Sequence, residues 1–362
     1  MKVATSIVLG NQATPALAAE AVTRAMHKAD ITVANSVLLL LTSEFANNPQ
    51  PAIKAAAKAA NSLQVMGCSA TGIFTEEDWV LDTPAAAAMV FGGDVSLQLP
   101  NLNHTNQPLF TLSAPNAINS TWLNNGNKRY GGVSGDAIGQ GPFSVWQNAK
   151  GDVSGYVETF FSGVKVVTKA SHGLQLLTAP QIVQQVSDYD IQRLDNQEPL
   201  SALQKAWKMH SKSDDPVPLH MIMATYANDA AAFAAGEYNL TNLISHDDDN
   251  GSITLAHKLE VGQFLSWGLR EKSTAMADLN ITINHLMNEL GTMPDFGLLF
   301  SCLGRGPYFY GGVDRDLKVL TQAFPYMPLI GFYGNGEIAS IRDTNQLLPS
   351  SAVLSLFSTQ HA

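Results

Sequence analysis

One order of elements occurs twice in this chain of 362 residues: helix, apolar strand, helix, strand, Gly-turn, once near residue 10 and again near residue 275. In the first copy an Ala-rich helical stretch from Ala13 to Ala29 leads to Val37-Leu-Leu-Leu-Leu-Thr-Ser43. A second helical stretch, Pro51 to Asn61, precedes Leu63-Gln-Val-Met-Gly-Cys-Ser-Ala-Thr-Gly-Ile73. The second copy runs from Met276 to Leu290, through Phe296-Gly-Leu-Leu-Phe-Ser-Cys302 and a helical Asp314 to Ala323. It closes on Met327-Pro-Leu-Ile-Gly-Phe-Tyr-Gly-Asn-Gly-Glu-Ile338. The match aligns Ser43 with Cys302 and Gly67 with Gly331. Two copies of one βαβ-like unit, folded against each other, bring two Gly-rich strand ends together, and such a junction is where a ligand pocket is expected.

Beyond the first copy the pattern changes to period two. Ala85 to Phe91, Val95 to Leu99 and Pro108 to Ser113 read as short antiparallel strands. Arg129 to Pro142 is too rich in glycine for a helix, since each interior Gly costs about 1 kcal/mol relative to Ala; it reads as a loop or as a strand that approaches something closely. Ser144 to Gln147, Ser154 to Phe160 and Val164 to Ala170 are β-like, with Asn148 to Asp152 as a hairpin turn. Thr178 to Asp195 predicts two more strands. Pro199 suits the first turn of a helix over Leu200 to His210, and the domain boundary is placed near Asn196.

In the second half, His220 to Tyr226, Tyr238 to His246, Ser252 to Leu255 and Gln263 to Leu269 are strand-like. Asp247-Asp-Asp-Asn-Gly251 clusters carboxylates before a glycine but lacks the later ligands of a calcium loop, so it predicts an exposed turn. From Ser340 onward the pattern fades, and the tail to Ala362 is expected to fray. The resulting expectation is α+β: mixed, mostly antiparallel sheets packed face to face with flanking helices, in two halves, 1–196 and 197–362.

A length of 362 residues favours two domains and a large core. Apolar runs such as Val37 to Leu41 are far too short to span a bilayer, and the first residues lack the charge and cleavage pattern of a signal peptide. The two cysteines, Cys68 and Cys302, fit free thiols in a reducing compartment, so a cytoplasmic location is expected. The formal charge of −10, with basic residues scattered singly, argues against nucleic acid and against anionic membrane surfaces as partners.

Leu240-Thr-Asn-Leu243, Leu298-Leu-Phe-Ser-Cys-Leu-Gly-Arg-Gly306 and Pro328-Leu-Ile-Gly-Phe-Tyr-Gly-Asn-Gly-Glu337 resemble the C-terminal FIST domain (F-box and intracellular signal transduction). Val65-Met-Gly-Cys-Ser-Ala-Thr-Gly72, Gly131-Gly-Val-Ser-Gly-Asp136 and Ser171-His-Gly173 resemble the matching N-terminal FIST domain. The resemblance implies a sensory module that binds small molecules such as amino acids. It also implies two further settings: haem proteins that sense nitric oxide and act on a histidine kinase, and F-box substrate-recognition subunits. No kinase, receiver, cyclase or F-box segment occurs in these residues, so a stand-alone sensor signalling to a separate partner is expected.

The candidate ligand-binding residues are Cys302, Arg305, Tyr333, Asn335, Glu337, Cys68 and Thr71. Arg305 offers a planar fork for a carboxylate and Glu337 can hold an ammonium, so together they would read a zwitterion; alternatively the two pair with each other and hold the turns. Cys302 beside the Gly-Arg-Gly turn is either a reactive thiol or a small hydrophobe, and a cysteine-dependent enzyme is the corresponding alternative function. Cys68 opens a turn whose amides either face an anion or pack tightly. The scattered glycines of 131–141 follow no strand-turn-helix order and exclude a nucleotide fingerprint. None of the nine histidines has metal-site spacing. A single axial haem ligand needs no spacing; among His172, His220, His246 and His285, the strand-end His172 is the candidate.

Overall fold

The computed structural model describes residues 2–100, 107–135 and 140–359. Its contacts divide the chain into two compact units, Met1–Ser171 with Leu279–Ala362, and His172–Asp278.

In the first unit β1 (Lys2–Leu9), α1 (Pro15–Ala29), β2 (Ser36–Thr42), α2 (Gln50–Ala60), β3 (Val65–Ala70), the hairpin β4 (Gly72–Thr75) and β5 (Trp79–Leu81), and β6 (Ala85–Gly92) follow in order. The order then recurs with shorter connections in β7 (Ser96–Gln98), β8 (Leu109–Ser113), α3 (Ser120–Leu123), β9 (Arg129–Val133), β10 (Val145–Gln147), β11 (Lys150–Gly151) and β12 (Tyr156–Ser162). A third occurrence opens with β13 (Val164–Ser171).

The second unit is inserted there: β14 (Leu174–Leu176), β15 (Gln181–Ser187), β16 (Asp190–Leu194), α4 (Pro199–Ser211), β17 (Ile222–Ala227), α5 (Ala231–Ala235), β18 (Asn239–His246), β19 (Ile253–Leu255) and β20 (Phe264–Arg270). The third occurrence then resumes with α6 (Lys272–Leu290), β21 (Phe296–Cys302), α7 (Pro307–Tyr310), α8 (Arg315–Ala323), β22 (Leu329–Gly334), β23 (Glu337–Ile341), β24 (Thr344–Leu348) and β25 (Ala352–Thr359).

The sequence echo is therefore threefold rather than twofold. Three six-stranded sheets share one plan: β1-β6-β2-β3-β10-β11, β7-β12-β8-β9-β23-β24 and β13-β25-β21-β22-β4-β5. In each, the third and fourth strands are parallel and their neighbours antiparallel. Each repeat contributes its hairpin to the sheet of another, so the three sheets interlock. One glycine per repeat makes the parallel pair possible. A Cβ on Gly67 would lie 1.7 Å from the Leu39 carbonyl oxygen, on Gly131 1.9 Å from that of Thr111, and on Gly331 1.8 Å from that of Leu299. Only hydrogen fits at these positions. The same register aligns Cys302 with Thr42, one residue before the Ser43 expected, and with Ala114.

Inner faces of the three sheets share one core, built from residues such as Leu38, Met66, Phe110, Tyr130, Phe300, Phe332 and Phe357. The helices α1 and α2 cover the outer face of the first sheet with Ala18, Ala21, Val22, Ala25, Ile53 and Ala56. Small side chains let these helices lie close to the strands, which explains the alanine-rich composition of this segment.

The second unit is a closed barrel: β20, β15, β16, β19, β18 and β17 pair in turn, β17 pairs back to β20, and β14 extends beside β20. Closure removes free edges from the six barrel strands. Trp267, Leu203, Ile253 and Leu265 are among its core residues. The boundary expected near Asn196 falls inside this unit, because β15 and β16 on one side of it pair with β20 and β19 on the other.

Several local expectations hold. The hairpin turn at Asn148 and Ala149 has positive φ at both residues. Asp247 to Asn250 form an exposed turn in which Asp247 accepts from the Asp249 amide and the Asn250 side chain. The fraying expected after Ser340 does not extend through the described residues: β25 lies between β13 and β21 as a central strand. Burial on both faces removes the alternation that would have marked it in sequence. Of the glycine-rich stretch, 129–133 is the strand β9, while Asp136 lies outside the described residues.

Candidate functional site at the strand ends

The parallel pairs β2/β3, β8/β9 and β21/β22 occupy equivalent places, and the chain turns out of each at its C-terminal end. Open crevices beyond the carboxyl ends of parallel strands are the usual ligand position in such sheets. Thr71, Gly135 and Asn335 stand at the same register position in their repeats, and they converge. A Cβ built on Gly135 would be 3.1 Å from Asn335 Oδ1 and 3.2 Å from Thr71 Oγ1. Asn335 is exposed and Thr71 is buried, with its hydroxyl oxygen lacking a hydrogen-bond partner among the described residues. Ser134 ties two of the repeats together by donating to the Ser69 carbonyl at 2.6 Å, and the Asn335 amide ties the third by donating to Val133 at 3.0 Å.

Glu337 begins β23 and pairs with Gly132. It is 1 % exposed, and neither carboxyl oxygen has a hydrogen-bond partner among the described residues. Burial pushes its pKa well above the ordinary carboxylate range. The neighbouring Cys302 pushes in the same direction, while Arg305 and the Ser351 amide, which lies near the carboxyl but outside hydrogen-bond geometry, pull against them. Cys302 is partly exposed at the end of β21, and its amide donates to the Ser351 carbonyl.

Arg305 does not meet either expectation. Its Nε donates to Asp316 Oδ2 at 2.7 Å, its Nη2 reaches Asp316 Oδ1 at 3.3 Å, and its Nη1 donates to the Ser171 carbonyl at 2.6 Å. The fork is thus filled by Asp316, a residue whose role the sequence did not disclose, rather than by Glu337 or an open carboxylate site. Tyr310 donates to the same carboxylate at 2.6 Å. Tyr333 is likewise engaged, its hydroxyl donating to Asp314 and its ring lying against Gly306 and Phe74. Asp314 caps α8 by accepting from the Leu317 amide at 2.8 Å. Burial, then Asp316, raises its pKa to about 6, against the pull of Tyr333 and Leu317. Position alone hints at this role, since Asp314 directly precedes a helix, where a capping aspartate is common.

Cys68 does not line the strand-end site. It faces the shared apolar core, fully buried, and burial raises its thiol pKa. The side chain belongs to tight packing, as the alternation of β3 requires. His172 lies in the second unit, buried, with its ring 5.1 Å from that of Tyr238, which in turn stacks on Phe233. The ring is thus part of an aromatic cluster of the second unit. A cysteine-dependent enzyme would need a base at the thiol, and one titratable side chain beside Cys302 is Glu337, whose pKa burial raises.

Two adjoining hollows of about 430 and 520 Å³ lie on the second unit, with Leu219 and His246 common to both. His246 lines both and His220 the second, two of the histidines left open from the sequence, whereas none of the candidate ligand-binding residues does. In the first, Lys208 and Asp214 are paired at 2.6 Å, and Asp215, Gln204 and Ser213 share the lining with Trp207, Val217 and Leu219. Unsatisfied polar groups therefore mark the strand ends of the first unit as the stronger candidate.

Comparison with known proteins agrees with the motif reading. Residues 200–340 match the family model of the FIST C domain, so this part of the chain is similar to a sensory domain of signal transduction. An uncharacterized protein of Mycobacterium bovis is 27% identical over 229 residues, covering 63% of this chain and 59% of that protein. A second, from Mycobacterium tuberculosis, is 26% identical over 229 residues, covering 63% and 60%. F-box only protein 22 of Homo sapiens is 29% identical over 137 residues, covering 34% of this chain and 33% of that protein. The chain thus spans less than two thirds of the mycobacterial relatives it matches. No helix among the described residues is long and apolar enough to cross a membrane.

Proposed function

We propose that the chain is a sensor for a small polar, amino-acid-like molecule, bound where the three strand ends of the first unit meet. A separate signalling protein, such as a histidine kinase, then reads the altered surface. The observation that carries this reading is the convergence of Thr71, Gly135 and Asn335, with the Thr71 hydroxyl buried and unpartnered among the described residues. A buried polar group left without a partner costs about 1–3 kcal/mol, and a ligand hydrogen bond recovers that cost. The exposed Asn335 amide supplies both a donor and an acceptor beside it. Gly135 keeps the space open, because any side chain there would occupy it.

The test is isothermal titration of the full chain with each of the common amino acids, repeated on Gly135→Ala and Thr71→Val. The expected result is binding by wild type and a loss of at least about tenfold in both variants at unchanged melting temperature. Absence of binding by every amino acid, or full affinity in Gly135→Ala, would overturn the reading.

A further inference from the structure

The three repeats allow each side chain at the strand ends to be compared with two equivalents in the same molecule. Glu337 pairs with Gly132, Val145 with Cys68, and Ile73 with Phe332; each partner directly follows the glycine of its repeat. Glu337, Val145 and Ile73 therefore hold the same position, and all three are buried. Within each repeat the end of the first parallel strand is Cys302, Ala114 or Thr42. Thr42 is satisfied, its hydroxyl accepting from the Ala85 amide at 3.0 Å. Two repeats thus carry buried apolar or satisfied side chains at these two equivalent positions, Thr42 and Ile73 in one, Ala114 and Val145 in the other. The third places there a thiol and a carboxyl whose oxygens have no partner in hydrogen-bond geometry among the described residues.

A fold that packs an aliphatic side chain at this position twice has no structural need for an acid at the third. The acid is retained at a cost, because a buried carboxyl without hydrogen bonds is unfavourable. Arg305 and the Ser351 amide offset only part of that cost, since burial still dominates and the Arg305 fork is held by Asp316. The Glu337 oxygens can accept two or more hydrogen bonds, and the partly exposed Cys302 borders them.

We propose that Glu337 is the specificity-determining residue of the strand-end site and takes the protonated amine of the ligand, with the Cys302 thiol at its border. This assignment rests on the strand-end reading above. An ammonium supplies three donors and the counter-charge that lets the buried acid ionise, whereas a ligand carboxylate would be repelled. The roles expected from sequence are thereby divided: the amine goes to Glu337, and the carboxylate faces Thr71 and Asn335 instead of Arg305.

Cys302 supplies the readout, because it is partly exposed while Cys68 is fully buried, so alkylation of the folded chain by iodoacetamide reports on Cys302. The probes are L-alanine, ethylamine and propionate, and L-leucine, isopentylamine and 4-methylpentanoate, each pair of fragments keeping only one end of its amino acid. Expected is a slowing of Cys302 alkylation by at least fivefold with an amino acid and with its amine, and none with its carboxylate. Glu337→Gln should abolish amine protection while remaining folded. Equal protection by the carboxylates, or unchanged amine protection in Glu337→Gln, overturns the assignment. If amino acids bind and Gly135→Ala abolishes that binding while Glu337→Gln does not, only the role of Glu337 falls. If none of the six probes protects Cys302 or binds by titration, and no other amino acid binds, the strand-end reading falls with it.

Discussion

Arg305 holds Asp316, not Glu337: the guanidinium meets the carboxylate at 2.7 Å and 3.3 Å, and both side chains are 2 % exposed. The two residues are separated by one turn and the short helix α7, so the ion pair fixes the segment between β21 and α8. Glu337 is left without a counter-ion of its own. This division of charges underlies the first two predictions.

Removing one member of a buried pair strands the other. Arg305→Ala and Asp316→Ala should each destabilise the chain by about 3–5 kcal/mol, and the double variant by less than the sum. Urea denaturation of the three variants checks this.

Glu337→Ile places at this position the residue type found in the first repeat. It should stabilise the protein by about 1–3 kcal/mol at neutral pH, since it removes an unsatisfied buried acid. Because the folded pKa of Glu337 lies well above its ordinary value of 4.5, the favourable contribution of its protonated form is complete below about 4.5 and is lost as pH rises through the folded pKa. The advantage of Glu337→Ile should therefore grow with pH. Denaturation curves at pH 5, 7 and 8.5 measure it, and a constant difference would contradict the assignment of a neutral acid.

Asp314 has a folded pKa raised from 3.8 to about 6. Its contribution is fully favourable below pH 3.8 and is lost as pH rises through about 6. Asp314→Asn retains a capping side chain and should remove this pH dependence. The expected gain relative to wild type grows across that interval, with a ceiling of about 3 kcal/mol. Melting temperatures between pH 4 and 7 report the slope.

Gly331→Ala would set a methyl group 1.8 Å from the Leu299 carbonyl oxygen and 2.5 Å from Phe74. The parallel pair must open to accept it, at a cost of about 3 kcal/mol. Gly151→Ala, where nothing lies within 4 Å, should be near neutral by comparison. Thermal unfolding of both variants side by side separates crowding from the general effect of replacing glycine.

Local patterns carried much of the architecture. The apolar run Val37–Leu41, the glycines Gly67 and Gly331 and the helix at Pro199 are legible because period, turn chemistry and proline geometry act over a few residues. The same logic located Glu337 and Asn335 as polar residues among glycines. The middle repeat escaped notice because its strand β8 has Thr111 where the others have leucine, and because α3, the helix between its parallel strands, has only four residues.

Chain order and composition alone therefore settle many of the strands, the glycines Gly67 and Gly331 of two parallel pairs and which charged residues are set among apolar neighbours, but not the doubly buried β25. Those properties follow from backbone sterics and from the exclusion of water, both local in origin. Folding in three dimensions decided the rest: the threefold interlocking of sheets, the choice of Asp316 over Glu337 as partner of Arg305, and the meeting of Thr71, Gly135 and Asn335. Each depends on contacts between residues far apart in the chain or on competition among neighbours for one charge. The energy of such contacts exists only once the strands are registered against one another.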